Sequence, residues 1–304
     1  MAVWSDVRDI VKAGKSLEAK RSERVAIAVS GPPGVLLERV SDALVPKTSG
    51  AGVERIILHE GSPPLPDRPE LVIVVLDVVP PSAAAFIEQL ARRRVPMLLA
   101  RPAPGSPLAR PGNDALRRLG VPSDDVVDVE LEDEQGLEEL FERVLKRMPG
   151  KRLALTANFE GVRSHAAREI IRHTSWQNAL LAGAIFIPGA DMPILTANQV
   201  KMVLELAAIY GKEMSYDRAK ELLAVVGAGF AFRTAARELS GFVPGPGWVL
   251  KSAIAYSGTI AVGKAAEQYM QHGHEWQSSV RDRIGRARDK MAEARRSKER
   301  PDGD

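Results

Sequence analysis

Near its start, this chain of 304 residues places a strand, a glycine-rich turn and a helix in succession. The apolar run VAIAVS ends at Ser30, and the turn that follows extends from Gly31 to Gly34. In a phosphate-binding loop with this layout, backbone N–H groups and the helix N-terminus surround the anionic oxygens. Nucleotide binding is therefore the first chemistry that these residues suggest.

The side chains that nucleotide chemistry requires are absent from this turn. Counting the pattern G-x-x-x-x-G-K-[ST] from Gly31 puts Leu37 in place of the lysine and Glu38 in place of the magnesium-binding hydroxyl. Pro32 and Pro33 have no N–H, so two backbone donors are also lost. The carboxylate of Glu38 would in addition repel a phosphate.

A second alignment does not restore these groups. With Gly34 as the last glycine of the pattern, Val35 and Leu36 occupy the lysine and hydroxyl positions. We therefore interpret Gly31 and Gly34 as the remains of a degenerate loop, and we expect no bound cofactor and no catalytic residue.

The remaining reactive side chains favour structural roles. The chain has no cysteine, which excludes disulfides and thiolate metal sites. His272 and His274 could offer two imidazoles, but no third ligand is close in sequence, so we expect a solvated loop and no metal site. Asp191 follows a Pro-Gly break, where capping the next helix is a better interpretation than a substrate or proton site.

Residues 24–149 alternate short apolar runs with helical periods, which predicts an α/β domain with a parallel sheet. The predicted strands are 25–30, 53–60, 71–79, 95–100 and 126–131. The predicted helices are one that follows the turn 31–34 and continues through Val45, then 82–93 with Ser82 as its cap, 114–119 and 137–148. A small Rossmann-like or P-loop-like domain is therefore expected.

The pattern changes at Pro149-Gly150, beyond which only helical periods occur. We expect an amphipathic helix over 1–23 without a signal peptide, an all-helical domain over 150–275 and a basic polar tail over 276–304. Uncharged stretches of the helical domain cover 174–190, 192–200, 222–232 and 252–263. The first is close to the shortest membrane span, and a break at Pro188-Gly189 predicts a hairpin that lies either in lipid or in the core of a soluble bundle.

The first half resembles a small GTPase domain of the Era-like kind. ELVIVVLDVVPPSAAAFIEQL is similar to the strand and helix before the guanine-specificity motif, and GLEELFERVLKRMP is similar to the closing helix. Where that family has Asn-Lys-x-Asp, this chain has RPAP at 101–104, and no Asp-x-x-Gly occurs between Ser49 and Pro69. The resemblance implies a pseudo-GTPase domain; a Rossmann-like module with no nucleotide history is the alternative.

The second half resembles the uncharacterised YcjF-like helical domain that follows Era-like GTPase domains. In that family an apolar helix ends in Ile-Pro-x-x-Asp, and the next helix contains an amide pair and closes in Tyr-Gly. The matching residues here are Ile187, Pro188, Asp191, Asn198, Gln199, Tyr210, Gly211, Pro244, Gly245 and Gly247, followed by Thr259 and Gly263. The resemblance implies association with a membrane and supplies no catalytic residue.

Three functions remain open at this point. The first is a non-catalytic pseudo-GTPase-like scaffold or regulator of bacterial type, peripheral to or partly embedded in the cytoplasmic side of the inner membrane. The second is a divergent NTP-binding switch or hydrolase that takes its cation from Arg101 or Arg110. The third is a soluble cytoplasmic adaptor whose apolar helices pack on one another or on a helical partner protein.

The partner classes follow from the charge pattern. Basic residues outnumber acidic ones in 151–304, by 22 to 16, which suits an anionic surface. No recognised motif accompanies the basic tail, so we expect no nucleic acid, whereas a homo-oligomer remains open.

Overall fold

The computed structural model describes residues 19–59, 68–184, 192–212, 219 and 247–272. Their contacts divide the chain into two compact units, with the division between Arg168 and Glu169. The first unit is built on a parallel sheet and the described part of the second is helical. The predicted fold class, α/β followed by all-α, is confirmed.

A five-stranded parallel sheet in the order β2-β1-β3-β4-β5 forms the centre of the first unit. All residues of the third strand are buried, as expected for a β-branched strand covered on both faces. The strands are β1 Val25–Gly31, β2 Ala51–Ile57, β3 Leu71–Val75, β4 Met97–Pro102 and β5 Val126–Val129.

Four helices of the first unit follow the strands of the sheet. They are α1 Val35–Ala43, α2 Pro81–Arg92, α3 Asn113–Arg118 and α4 Glu138–Arg147. The predicted cap at Ser82 is wrong, because α2 begins at Pro81 and has no side-chain cap. Proline suits the first helical position, since its φ is already helical and the N–H that it lacks would have no partner there.

The first unit continues beyond the change of pattern at Pro149-Gly150. It includes α5 (Arg152–Asn158) and the first turns of α6 (Glu160–Ala184). The Lys151 ammonium donates to the Arg24 carbonyl at 2.8 Å and pairs with Glu70 at 3.2 Å, which ties this segment to the start of β1. A folding boundary at 149–150 stays a prediction.

A second attachment joins the start of α6 to the segment after α1. The Lys47 N–H donates to the Asn158 carbonyl at 2.9 Å, and the Lys47 side chain pairs with Glu160. The hydrogen bond from Lys47 lowers the pKa of the Glu160 carboxyl. Phe159, between these two contacts in sequence, is completely buried.

The helices described for the second unit are the rest of α6, α7 (Met192–Tyr210) and α8 (Gly247–His272). Side-chain contacts join Asn178 of α6 to Asn198 and Thr259. Farther along α6, Gly183 lies beside Ser252, and farther back Ile171 lies beside Gly263. These pairings make α6 antiparallel to α8.

Several predicted features lie outside the described residues. They are most of the N-terminal helix 1–23, the break at Pro188-Gly189, the stretch 222–232 and the tail 276–304.

Replacing Phe159 by alanine should destabilise the first unit by about 3–5 kcal/mol, because the buried ring would leave a cavity. Hydrogen exchange measured by mass spectrometry should show faster exchange of the β3 amides. Val45→Ala is the control, since Val45 is 61% exposed and its truncation should cost less than about 0.5 kcal/mol. Unchanged protection of β3 in Phe159→Ala would contradict the inclusion of residues 149–168 in this unit.

Candidate functional site

The loop from Gly31 to Gly34 lies where ligands bind in many open parallel sheets. The connections turn in opposite directions from β1 and β3, and ligands bind beyond the carboxyl ends of strands at such a point. Here the two strand ends are in close contact, since a Cβ on Gly31 would collide with the Val75 carbonyl oxygen. Strand packing therefore accounts for this glycine without any ligand.

The first turn of α1 has two residues in the core and two at the surface, where Val35 is 63% exposed. Leu36 and Leu37 are buried, whereas Glu38 is exposed and lies 4.0 Å from Arg55. Gly34 precedes the helix, and no side chain caps it. The carboxylate of Glu38 lies in the first turn, where it interacts favourably with the positive end of the helix dipole.

Both arginines that could have served a nucleotide bind the same carboxylate. The Nε of Arg101 donates to Asp128 at 2.7 Å, and the terminal nitrogen of Arg110 donates to the other oxygen of Asp128 at 2.7 Å. Arg101 also donates to the Pro111 carbonyl at 2.8 Å, and Arg110 to the Pro102 carbonyl at 3.0 Å. These contacts hold the loop after β4 against the edge of the sheet.

A cavity of about 180 Å³ lies beside this cluster. Its lining carries both signs of charge, from Arg101, Arg117, Asp128 and Glu139. Arg101 is buried and paired with Asp128, and Arg117 lies 3.9 Å from Asp114, so both arginines of the lining already have a carboxylate partner.

A buried polar network joins the three helices of the second unit. The amide of Asn178 donates to Thr259 Oγ1 at 3.0 Å, and the amide of Asn198 donates to Asn178 Oδ1 at 2.9 Å. Gln199 also donates to Thr259 Oγ1, at 3.2 Å, and Thr259 donates to the Ala255 carbonyl at 2.8 Å. Asn178 and Thr259 are completely buried, so each polar group depends on the others.

The Tyr-Gly pair at the end of α7 also has a clear structural role. Tyr210 donates to Glu267 at 2.9 Å and accepts from Gln271 at 3.0 Å, which attaches this end of α7 to α8. Gly211 has a φ of 65° and forms the usual C-terminal cap, in which Lys212 N–H donates to the Ala207 carbonyl at 2.9 Å.

The structure thus brings Asn198 and Gln199 together with Thr259, and it places Gly247 at the start of α8. Asn178 was not among the site residues predicted from the sequence. A polar amide inside an uncharged helical run was the available signal, because a buried amide must find partners. The motif residues that lie outside the described part of the chain are Ile187, Pro188, Asp191, Pro244 and Gly245.

Beyond the network, one end of the helical unit exposes apolar side chains. Leu180 of α6, Ile194 of α7 and the start of α8 all lie on the same side of the network along their helices. The large apolar residues exposed there are Leu180, Ile194, Trp248, Val249 and Leu250. Trp176, also exposed, lies at the level of the network, with its ring 5.0 Å from that of Tyr256.

Two further properties concern the described residues only. None of their helices has the length and hydropathy that crossing a membrane requires. No group of three metal-ligating side chains is present among them.

Comparison with known proteins identifies one domain. Residues 152–242 match a domain of unknown function, DUF697. No curated protein matches the chain. The match begins at the first residue of α5, and it confirms the prediction of an uncharacterised helical domain in the second half.

Asn178 and Thr259 should be energetically coupled. In a double-mutant cycle of Asn178→Ala and Thr259→Ala, urea denaturation should give an interaction energy of about 0.5–3 kcal/mol, because each single change removes the buried hydrogen bond that the two side chains share. Ser257→Ala replaces Thr259→Ala in the control cycle, since exposed Ser257 bonds only within α8. Equal coupling in both cycles would show that the network does not join the helices.

Proposed function

We propose that this protein is a non-catalytic, pseudo-GTPase-like scaffold or regulator attached to the cytoplasmic face of a bacterial inner membrane. The observation that carries the proposal is the exposed apolar end of the helical unit. Attachment would hold the α/β unit at the membrane, where it acts through contacts with other molecules.

The composition of the apolar end supports attachment to lipid. Between the network and the ends of α6, α7 and α8, Lys251 is the one Asp, Glu, Lys or Arg among the described residues. Contiguous exposed apolar surface in a protein indicates a protein or membrane contact. Tryptophan and tyrosine are enriched where a protein meets the lipid headgroups, and Trp176, Trp248 and Tyr256 supply them here.

The geometry of the α/β unit supports a role without nucleotide turnover. At the loop after β1, the lysine position is the buried Leu37 in one alignment and the exposed but uncharged Val35 in the other, so neither alignment offers a cation to a nucleotide. Arg101 and Arg110, the candidates for a replacement cation, are paired with Asp128. A pseudo-GTPase agrees with these features better than a divergent hydrolase does.

The purified protein should therefore bind neither GTP nor ATP in the presence of magnesium. Calorimetric titration should give no heat of binding at micromolar protein, because the loop lacks a cation, a magnesium-binding hydroxyl and two N–H donors. Micromolar binding that is lost in Gly34→Val would instead support a nucleotide-dependent switch.

The wild-type protein should float with vesicles of phosphatidylethanolamine and phosphatidylglycerol, and Leu180→Glu should lower the bound fraction. A loss of about tenfold corresponds to about 1.4 kcal/mol, less than a carboxylate costs at the centre of a bilayer. Leu180 is 70% exposed, so the substitution should leave the fold intact.

Gln268→Glu is the matched control, because it adds the same charge at an exposed position near the other end of α8. It should float like the wild type. If the wild type does not float, or if Leu180→Glu floats equally well, the apolar end does not bind lipid, and a soluble adaptor with a protein partner becomes the better explanation.

A further inference from the structure

We infer that the cavity beside Arg101 and Asp128 is a binding site for a small molecule that carries a carboxylate and a short apolar group. The site lies within the α/β unit, and the inference does not depend on the proposed membrane attachment. Binding there would give this unit a ligand other than a nucleotide.

The first observation is a buried guanidinium group with unused hydrogen-bond donors. The Arg101 side chain is only 6% exposed, and a guanidinium carries five N–H groups. One of them donates to Asp128 and one to the Pro111 carbonyl, which leaves three without an acceptor among the described residues. Because a buried donor without a partner costs free energy, these N–H groups favour an acceptor in the cavity that Arg101 lines.

The free donors of Arg101 are accessible to a small molecule. The Nη2 nitrogen makes no hydrogen bond with the described residues, yet it is not among their fully enclosed, unsatisfied atoms. It therefore borders space that protein atoms do not fill, and Arg101 lines a cavity of about 180 Å³. The two terminal nitrogens of a guanidinium form a planar fork, to which a carboxylate can bind with both oxygens.

The second observation is an excess of positive charge beside the cavity. Arg101 and Arg110 share one carboxylate among the described residues, that of Asp128. The other charged side chains of the lining each have a partner of opposite sign, in the pairs Arg117–Asp114 and Glu139–Arg143. The cluster of Arg101, Arg110 and Asp128 thus has one more positive than negative charge. Water can accept from an N–H group without neutralising this charge, whereas a carboxylate does both.

The third observation is the apolar part of the lining. Leu116 and Val121 are buried, and Val126 is half-buried. An apolar group on the ligand would cover these side chains and displace water from them. A cavity of about 150 Å³ can hold a molecule of the size of benzene, so this one has room for a carboxylate with a short branched chain. A nucleotide is much larger than that.

The carboxylates of the lining leave two sources for such a ligand. Asp128 and Glu139 would attract an ammonium group, so both short-chain acids and α-amino acids have the required chemistry. The probes 3-methylbutanoate and valine distinguish these sources. Valine is the same acid with an ammonium group on the carbon next to the carboxylate.

Methyl NMR of the full-length protein, labelled at leucine and valine, tests the site. Titration with 3-methylbutanoate at constant ionic strength should shift the methyl signals of Leu116, Val121 and Val126, with a Kd of about 1 mM or lower. The neutral isostere 3-methylbutanamide should bind about tenfold more weakly, because it cannot neutralise Arg101. A lower Kd for valine than for 3-methylbutanoate would assign the ligand to the amino acids, and a higher Kd would assign it to the simple acids.

Two substitutions at opposite edges of the sheet separate the cavity from general effects. Val126→Phe places a larger side chain in the cavity and should weaken the binding of 3-methylbutanoate about tenfold or more. Val53→Phe is the matched control, since Val53 is a half-buried valine of the other edge strand, outside the cavity lining. Its Kd should stay within about twofold of the wild-type value.

A third variant tests the guanidinium itself. Arg101→Lys retains the positive charge but lacks the planar fork, so it should also weaken binding about tenfold. Arg101 holds the loop after β4, and its replacement can impair folding. In that case Val126→Phe, which leaves Arg101 in place, decides the result.

The outcomes are distinct. Shifts of the cavity methyl signals that the amide reproduces only weakly, and that Val126→Phe abolishes, would support the site. The inference would be overturned by no shift at about ten times the expected Kd, by equal binding of the amide, or by unchanged binding in Val126→Phe. Vesicle flotation is a separate measurement on the helical unit, so a failure here is distinguishable from a failure of the membrane attachment.

Discussion

The buried amide of Asn178 imposes the constraint on which the helical unit depends. An amide removed from water must bond within the protein, and an unsatisfied buried group costs about 1–3 kcal/mol. Asn178 meets this requirement through Thr259 and Asn198, on two other helices. Small residues permit the approach of those helices, since a Cβ on Gly263 would lie 2.7 Å from Ile171. The hydrogen bonds fix the helices lengthwise, while the glycine fixes how closely they pack.

In the α/β unit the corresponding constraint is the close approach of β1 and β3. Gly31 allows the end of β1 to pack directly on Val75, and the loop that follows is shaped by this contact. A second constraint lies at the β5 edge of the sheet, where the Asp128 carboxylate binds the buried Arg101 guanidinium. Arg101 and Asp128 are register partners on adjacent strands, so their pairing also stabilises the alignment of β4 and β5.

The fold class, the five strands and most helices could be predicted from the sequence. The spacing of apolar residues that distinguishes a strand from a helix depends only on residues close together in the chain. Buried β3 and the helix after it were both recognisable from their residues. The extension of the first unit to Arg168 could not be recognised from the sequence. It depends on contacts that join distant parts of the chain, such as the ion pair of Lys151 with Glu70. For the same reason Asn198, Gln199 and Thr259 could be singled out by resemblance, whereas their hydrogen bonds to one another and to Asn178 could be found only in three dimensions.

The burial of Leu37 limits which substitutions the loop after β1 can accept. A lysine at this position would place an ammonium group in the apolar interior, where desolvation opposes its charge. With Gly34 as the last glycine, the lysine position is the exposed Val35, but the hydroxyl position is then the buried Leu36. In either alignment, introducing a nucleotide motif by substitution would place a polar group in the core of the α/β unit and lower its stability.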